Sequence, residues 1–342
     1  MPPHGVARLG NRTIDSRRAG LASPWGGMSI PCQTRLVIRR DLRFDGPFDL
    51  PGTLAPLVRG NGDRTIRIAS REAWWTTRTA AGPATLHLAV GPGTLTAKAW
   101  GAGAELALER AGRLVGVEPY RQPTGALAGV DDGRIASLAR GRPGVRTLRT
   151  EAVFDALVAG IVEQKVTGFE AHRVWHGLVR RYGEPAPGPA GRELGLRLLP
   201  APATLAALPY YAFHPLGLER RRADLIRAIA RRAPWFAAIV DLPLPEAYRR
   251  LLAVPGIGPW TAAEVAVRAL GDDDAVSVGD FHIPHLVAWA LAGEPRGDDT
   301  RMLELLEPYR GRRALVVRLL ELSGMRAPRY GPRLAPRGIA AI

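Results

Sequence analysis

The chain has 342 residues, 46% of them hydrophobic, with 47 Lys and Arg against 32 Asp and Glu and a formal net charge of +15. This length suits two packed domains better than one small module, and no apolar run approaches the ~18 residues of a membrane-spanning helix, which argues against a membrane protein. Cys32 is the only cysteine, so an intramolecular disulfide, a cysteine zinc site and a four-cysteine iron–sulfur cluster are excluded and a cytoplasmic setting is expected.

Residues 1–33 hold no sustained apolar periodicity and read as a disordered leader. A start at Met28 would cost no core. From Thr34 the pattern is that of strands: RLVIRR, RTIRIAS, AWWTTRT, ATLHLAV and TLTAKAW are rich in β-branched and aromatic residues and are separated by turn formers. LHLAV and LTAKAW, bridged by GPGT, read as a hairpin, and a helix is predicted over 104–114. The first domain, 34–122, is thus an antiparallel sheet with a covering helix. Residues 123–325 repeat apolar positions at three and four and predict an all-α domain, with one long helix expected from FDALVAGIVEQKV on through EAHRVWHGLVRRYG. The intervening EPAPGPAGRELG reads as a loop, Asp272 to Asp274 as a solvated connection, and 326–342 as a basic, Pro-rich tail. The fold class is therefore α+β.

The positive balance has two readings. Lys and Arg neutralise phosphates, which points to nucleic acid; but Lys98 and Lys165 are the only lysines, and an Arg-, Ala-, Gly- and Pro-rich composition also follows from GC-rich coding. The motif that decides between them is LLAVPGIGPWTAAEVAVRAL, residues 251–270. A helix ends at Ala253, PGIG makes a turn using glycine's freedom at Gly256 and Gly258, and Pro259 begins a second helix without losing a hydrogen bond. Such a helix-hairpin-helix presents the amides of Gly256, Ile257 and Gly258 to a phosphate, with the Thr261 hydroxyl beside them, and grips DNA without reading its bases. A plain tight turn between packed helices is the bland alternative.

Downstream, AVSVGDFHIPHLVAWAL brings Asp280 to the start of an apolar helix, where an ordinary helix cap is the bland reading. One helix and a loop after a phosphate-gripping hairpin, the same carboxylate lies where the sugar of a flipped nucleotide would arrive. Asp280, His282 and His285 also suggest a metal site, but no fourth ligand is suitably spaced and no catalytic metal is expected.

These residues resemble the helix-hairpin-helix glycosylase superfamily, and specifically the 3-methyladenine glycosylase II type. GRPGVRT with FDALVAGIVEQKVT, and LGLERRRADLIRAIA, extend the resemblance over roughly residues 34–325. The resemblance implies a monomeric enzyme without cofactor that excises damaged bases from double-stranded DNA, with Asp280 as the catalytic carboxylate. It implies alkylated purines as substrates, stacked on Trp260, with Phe281 and Gln164 in the pocket and Lys165 at the position of the wedge that fills the gap left by the flipped nucleotide. Where relatives that also nick the strand place a lysine, this chain has Trp260, so a monofunctional hydrolase is expected. An alkali ion on the carbonyls of Leu252, Val254 and Ile257 is implied by the resemblance alone. The chain departs from the type at Glu264 and Arg318, where aromatic residues are expected. The two either contact a base edge or form an ion pair between helices. The departures leave open a glycosylase for oxidised or deaminated bases, and a DNA-binding protein without turnover.

Overall fold

The computed structural model describes residues 38–119 and 121–328. The expected leader, with Met28 and Cys32, and the tail beyond residue 328 lie outside the described residues.

Strand β1 (Ile38–Arg43) is followed by a short helix α1 (Leu50–Leu54), then β2 (Ile66–Ile68), β3 (Glu72–Thr79), β4 (Gly82–Gly91), β5 (Thr94–Trp100) and helix α2 (Ala104–Leu114). The five strands pair antiparallel in the order β1-β5-β4-β3-β2. Alternation along β4 and β5 puts Leu86, Leu88, Leu95, Ala97 and Ala99 on one face, all fully buried, where they meet Leu108, Ala111 and Leu114 of α2. The expected hairpin between β4 and β5 is present, with Gly91 opposite Thr94 and Gly93 at φ 60° in the connection.

The opposite face is covered by chain from the helical half. Trp74 stacks on Trp100 and His87 at centroid distances of 5.3 and 4.2 Å and packs against Ala186, Ala190 and Leu196. The Thr85 hydroxyl donates to the carbonyl of Pro187 at 2.9 Å. The segment expected to be a plain loop therefore contains a helical turn, α6 (Pro189–Glu193), and lies against the sheet. Its Pro and Gly content concealed a short element that packing, rather than propensity, holds in place.

The helical half comprises α3 (Gly133–Gly141), α4 (Val153–Glu163), α5 (Gly168–Tyr182), α6 (Pro189–Glu193), α7 (Pro202–Ala207), α8 (Arg220–Arg231), α9 (Ala233–Ala237), α10 (Leu244–Leu252), α11 (Pro259–Val265), α12 (Ile283–Ala292), α13 (Asp299–Leu306) and α14 (Arg313–Leu322). Residues 266–270 continue α11 as a π-helical turn. One apolar cluster gathers α4, α5, α8, α10 and α11; a second gathers α3, α12, α13 and α14. The single long helix expected over 154–183 is two helices. The chain breaks at Gln164–Thr167, where Lys165 takes φ 53° and Thr167 and Glu170 form a reciprocal capping box that restarts the helix.

The acidic run at 272–274 is also not merely solvated. Tyr248 donates to Asp272, Arg121 pairs with Asp273 and Arg313 pairs with Asp274, so the run ties two helices and the loop bearing Arg121 together. No helix among the described residues is long and apolar enough to cross a membrane.

Candidate active site

The hairpin forms as the sequence predicts, between α10 and α11. Gly256 takes φ 94°, where any Cβ would also approach Leu225 Cδ2 to 2.9 Å. Gly258, in contrast, lies at φ −94° with open space around it, so the turn requires glycine at one position rather than two. The tip is exposed at Pro255, Gly256 and Pro259, and the amides of the first turn of α11 have no partners within the helix. Ile257 is 4% exposed and anchors the turn in the core, and its amide donates to the Val254 carbonyl at 3.0 Å, which corrects the expectation that it stands free for a phosphate. Thr261 does not present its hydroxyl to solvent. It is buried, and its Oγ accepts a hydrogen bond from Gln164 Nε2 at 2.9 Å; the same amide donates to the Gly256 carbonyl at 3.0 Å. Gln164 thus joins the break between α4 and α5 to the hairpin, with Lys165 exposed beside it.

Asp280 follows a tight turn in which Gly279 takes φ 91° and its amide is received by both carboxylate oxygens of Asp299 at 3.0 Å. One oxygen of Asp280 accepts the amides of His282 and Ile283, at 2.7 and 2.8 Å, at the start of α12. The other accepts the indole N–H of Trp260 at 3.0 Å. Asp280 is therefore a helix-start carboxylate and also a half-buried anion that three donors and the helix dipole hold in one orientation. Trp260 reaches it from the first turn of α11, so the hairpin helix itself positions the carboxylate.

The segment bearing Asp280 borders a cavity of about 120 Å³, with Ser277 and Ile283 in its wall. Across from them stand Glu264 and Arg268 of α11 and Arg318 and Glu321 of α14. Asp280 itself, Trp260, Phe281 and Gln164 do not line it. Phe281 is 69% exposed and its ring lies edge-on to His282 and His285, which corrects its expected place in the pocket. Trp260 turns its N–H to Asp280 rather than its face to this cavity.

Glu264 and Arg318 both line the cavity but do not pair with each other. Glu264 pairs with Arg268 one helical turn on, at 2.7 Å, and accepts the Ser277 hydroxyl at 2.5 Å; Arg318 Nη1 pairs with Glu321 at 2.8 Å. Arg268 also pairs with Glu163 at 3.0 Å, and Glu163 with Arg59 at 3.0 Å. Burial pushes the Glu264 carboxyl upward, with neighbouring Glu163 adding to the effect and Arg268 opposing it. For Glu163 burial acts in the same sense, but the guanidinium groups of Arg268 and Arg59 outweigh it and hold the carboxyl below its usual range. The i, i+4 spacing of Glu264 and Arg268 was a readable signal for their pairing. Glu163, Arg59, Ser277 and Asp299 converge only in the folded chain and carried no sequence signal.

Among the described residues no group of three or more His, Cys, Asp or Glu is placed to hold a metal ion. The carbonyls of Leu252, Val254 and Ile257 offer neutral oxygens at an exposed turn. That of Val254 already accepts the Ile257 amide at 3.0 Å and keeps one lone pair. This donor set fits a weakly held monovalent cation and lacks the carboxylates a divalent ion requires.

No family model matches the chain. A probable bifunctional transcriptional activator/DNA repair enzyme AlkA of Mycobacterium tuberculosis is 31% identical over 140 residues, 41% of this chain and 27% of that protein. DNA-3-methyladenine glycosylase 2 of Escherichia coli is 26% identical over 189 residues, 52% of this chain and 61% of that protein. The chain thus spans less than two thirds of the length of the curated relatives it matches. Among solved structures, the 3-methyladenine DNA glycosylase from Archaeoglobus fulgidus superposes with a TM-score of 0.70 at 18% identity, covering 83% of this chain and 98% of that one. The fold is shared with that structure, and the resemblance to the 3-methyladenine glycosylase II type is borne out by the curated relatives named AlkA and DNA-3-methyladenine glycosylase 2.

Proposed function

We propose that the chain is a monofunctional DNA glycosylase of base excision repair, with Asp280 as its catalytic carboxylate. The observation that carries this reading is the fixed anion at the head of α12, tied by Trp260 to the hairpin helix, on a segment whose Ser277 and Ile283 line a cavity. The hairpin and α11 hold the damaged strand by its backbone. The target nucleotide swings out of the duplex, and the exposed Lys165 enters the space it leaves.

As the bond from C1′ to the base nitrogen breaks, its electron pair leaves with the base and the sugar gains oxocarbenium character. Ionised Asp280 stabilises that cation, and water adds to C1′ with its proton passing to Asp280 or to solvent. No lysine stands at the hairpin to form a Schiff base, so the product is an abasic site in an intact strand. The carbonyls of Leu252, Val254 and Ile257 would hold an alkali ion, which would add positive charge toward the phosphate.

3-Methyladenine, an alkylated purine, is the base in the names of the relatives. A second reading, a neutral deaminated base, is favoured by the cavity, in whose wall no aromatic ring stands among the described residues. Both are tested by single-turnover release of base from duplexes carrying 7-methylguanine, 3-methyladenine or hypoxanthine. At least one is released by the native chain, and Asp280→Asn lowers that release by about a hundredfold or more with DNA affinity kept. Undiminished release by Asp280→Asn overturns the assignment.

A further inference from the structure

The Arg318 guanidinium is half engaged. Nη1 is held by Glu321 at 2.8 Å, while Nε and Nη2 are buried and have no hydrogen-bond partner among the described residues. Two unpaired buried donors are costly, and the cost is recovered when a ligand satisfies them. Nε–H and Nη2–H lie on one edge of the planar group and point in parallel, a fork that fits two adjacent acceptors. Arg318 lines the same cavity as Ser277 and Ile283, three residues to either side of Asp280, and the polar groups around it are already committed: Glu264 to Arg268 and Ser277, and Arg268 to Glu163 as well.

Resting on the glycosylase reading above, we propose that Arg318 selects the flipped base and that the preferred substrate is a neutral 6-oxopurine, read by the guanidinium fork through its O6 and N7. Hypoxanthine, the deamination product of adenine, is the simplest such base. Its O6 and N7 are neighbouring acceptors, the pair that arginine engages on guanine in the major groove. In 7-methylguanine the methyl group occupies N7 and the base carries a positive charge toward the guanidinium. In 3-methyladenine N7 stands beside an amine, which is a donor. Neither offers two adjacent acceptors, and the cavity has no aromatic face on which a cationic base gains stacking. Undamaged guanine presents the same edge but is held in a stable pair. Hypoxanthine arises opposite thymine, in a mispair that is cheap to open.

The test is single-turnover release from duplexes carrying hypoxanthine opposite thymine or 7-methylguanine opposite cytosine, with native chain, Arg318→Met and Arg318→Lys. Native chain releases hypoxanthine faster. Arg318→Met lowers that rate about tenfold to a hundredfold more than it lowers 7-methylguanine release, and Arg318→Lys does not restore the difference, because an ammonium has no fork. Faster release of 7-methylguanine by native chain, or an equal loss on both bases, overturns the proposal while leaving the glycosylase reading intact. Release of neither base by native chain overturns the proposal, and release of 3-methyladenine in the same series then decides whether the glycosylase reading survives. If Arg318→Met does not fold, Glu321→Gln, which loosens the guanidinium without removing it, lowers hypoxanthine release selectively; unchanged selectivity in that variant counts against the proposal.

Discussion

At the residue scale the account turns on how one carboxylate is held. Asp280 receives two amides and one indole N–H, and Trp260 is the only one of these donors supplied by a side chain. A hydrogen bond to a charged group contributes about 1.5–3 kcal/mol, so Trp260→Phe should lower the single-turnover rate by about tenfold or more while duplex affinity is unchanged. Loss of affinity in step with rate would mean that Trp260 holds DNA rather than Asp280. Gly256→Ala is expected to destabilise the fold, because φ 94° and the 2.9 Å approach of Leu225 both oppose a Cβ; a thermal melt checks it against Gly258→Ala, which meets nothing within 4 Å. The hairpin and Asp280 were legible in sequence because each is marked by local chemistry: glycine in a turn, proline at a helix start, a carboxylate at a helix head. The hold of Trp260 on Asp280 was not, since the two stand on different elements with no periodic relation. The pairings of Glu264 with Arg268 and of Arg318 with Glu321, by contrast, follow the i, i+4 and i, i+3 spacings of a helix and could have been read from the sequence.

At the scale of elements, strands and helices followed their periodicities closely. Over 104–114 the predicted helix is the observed one, and the hairpin between β4 and β5 forms where its turn residues stand. The break between α4 and α5 shows where periodicity misleads. Apolar spacing runs through it without interruption, whereas the Thr167–Glu170 box that reopens the helix is a local signal the longer pattern masked. Thr167→Val removes the cap and is expected to lower stability by about 1 kcal/mol, seen in the denaturation midpoint at unchanged slope. The same break carries Gln164 and Lys165 to the hairpin, so the variant should also weaken duplex binding. Unaltered stability would show the box to be redundant with packing.

At the scale of the molecule, charge decides two behaviours. With a formal net charge of +15, duplex affinity should fall with salt, log K against log salt having a slope of about −0.9 for each phosphate neutralised. The second behaviour belongs to Asp155, in the first turn of α4, whose carboxyl burial pushes up to about 7 against the opposing charge of Arg78. In the unfolded chain an aspartate titrates near ~3.9, so between those values the folded state binds the proton more tightly. Stability from this group is therefore full below about pH 4 and is lost as pH rises through about 7. Asp155→Asn, which cannot titrate, should melt higher than the native chain at pH 8 and gain little at pH 4. A constant difference across that range would contradict the assignment. The burial of Asp155 was not legible in sequence, where an acidic residue in the first turn of a helix reads as exposed and favourable to the dipole.

The most direct measurement is single-turnover release of damaged base from duplex DNA by the native chain and by Asp280→Asn at one fixed salt concentration. The account predicts release by the native chain, a loss of about a hundredfold or more in the variant, and equal duplex affinity for both. Equal release by both proteins, or binding without release of any of the three bases by the native chain, would contradict it.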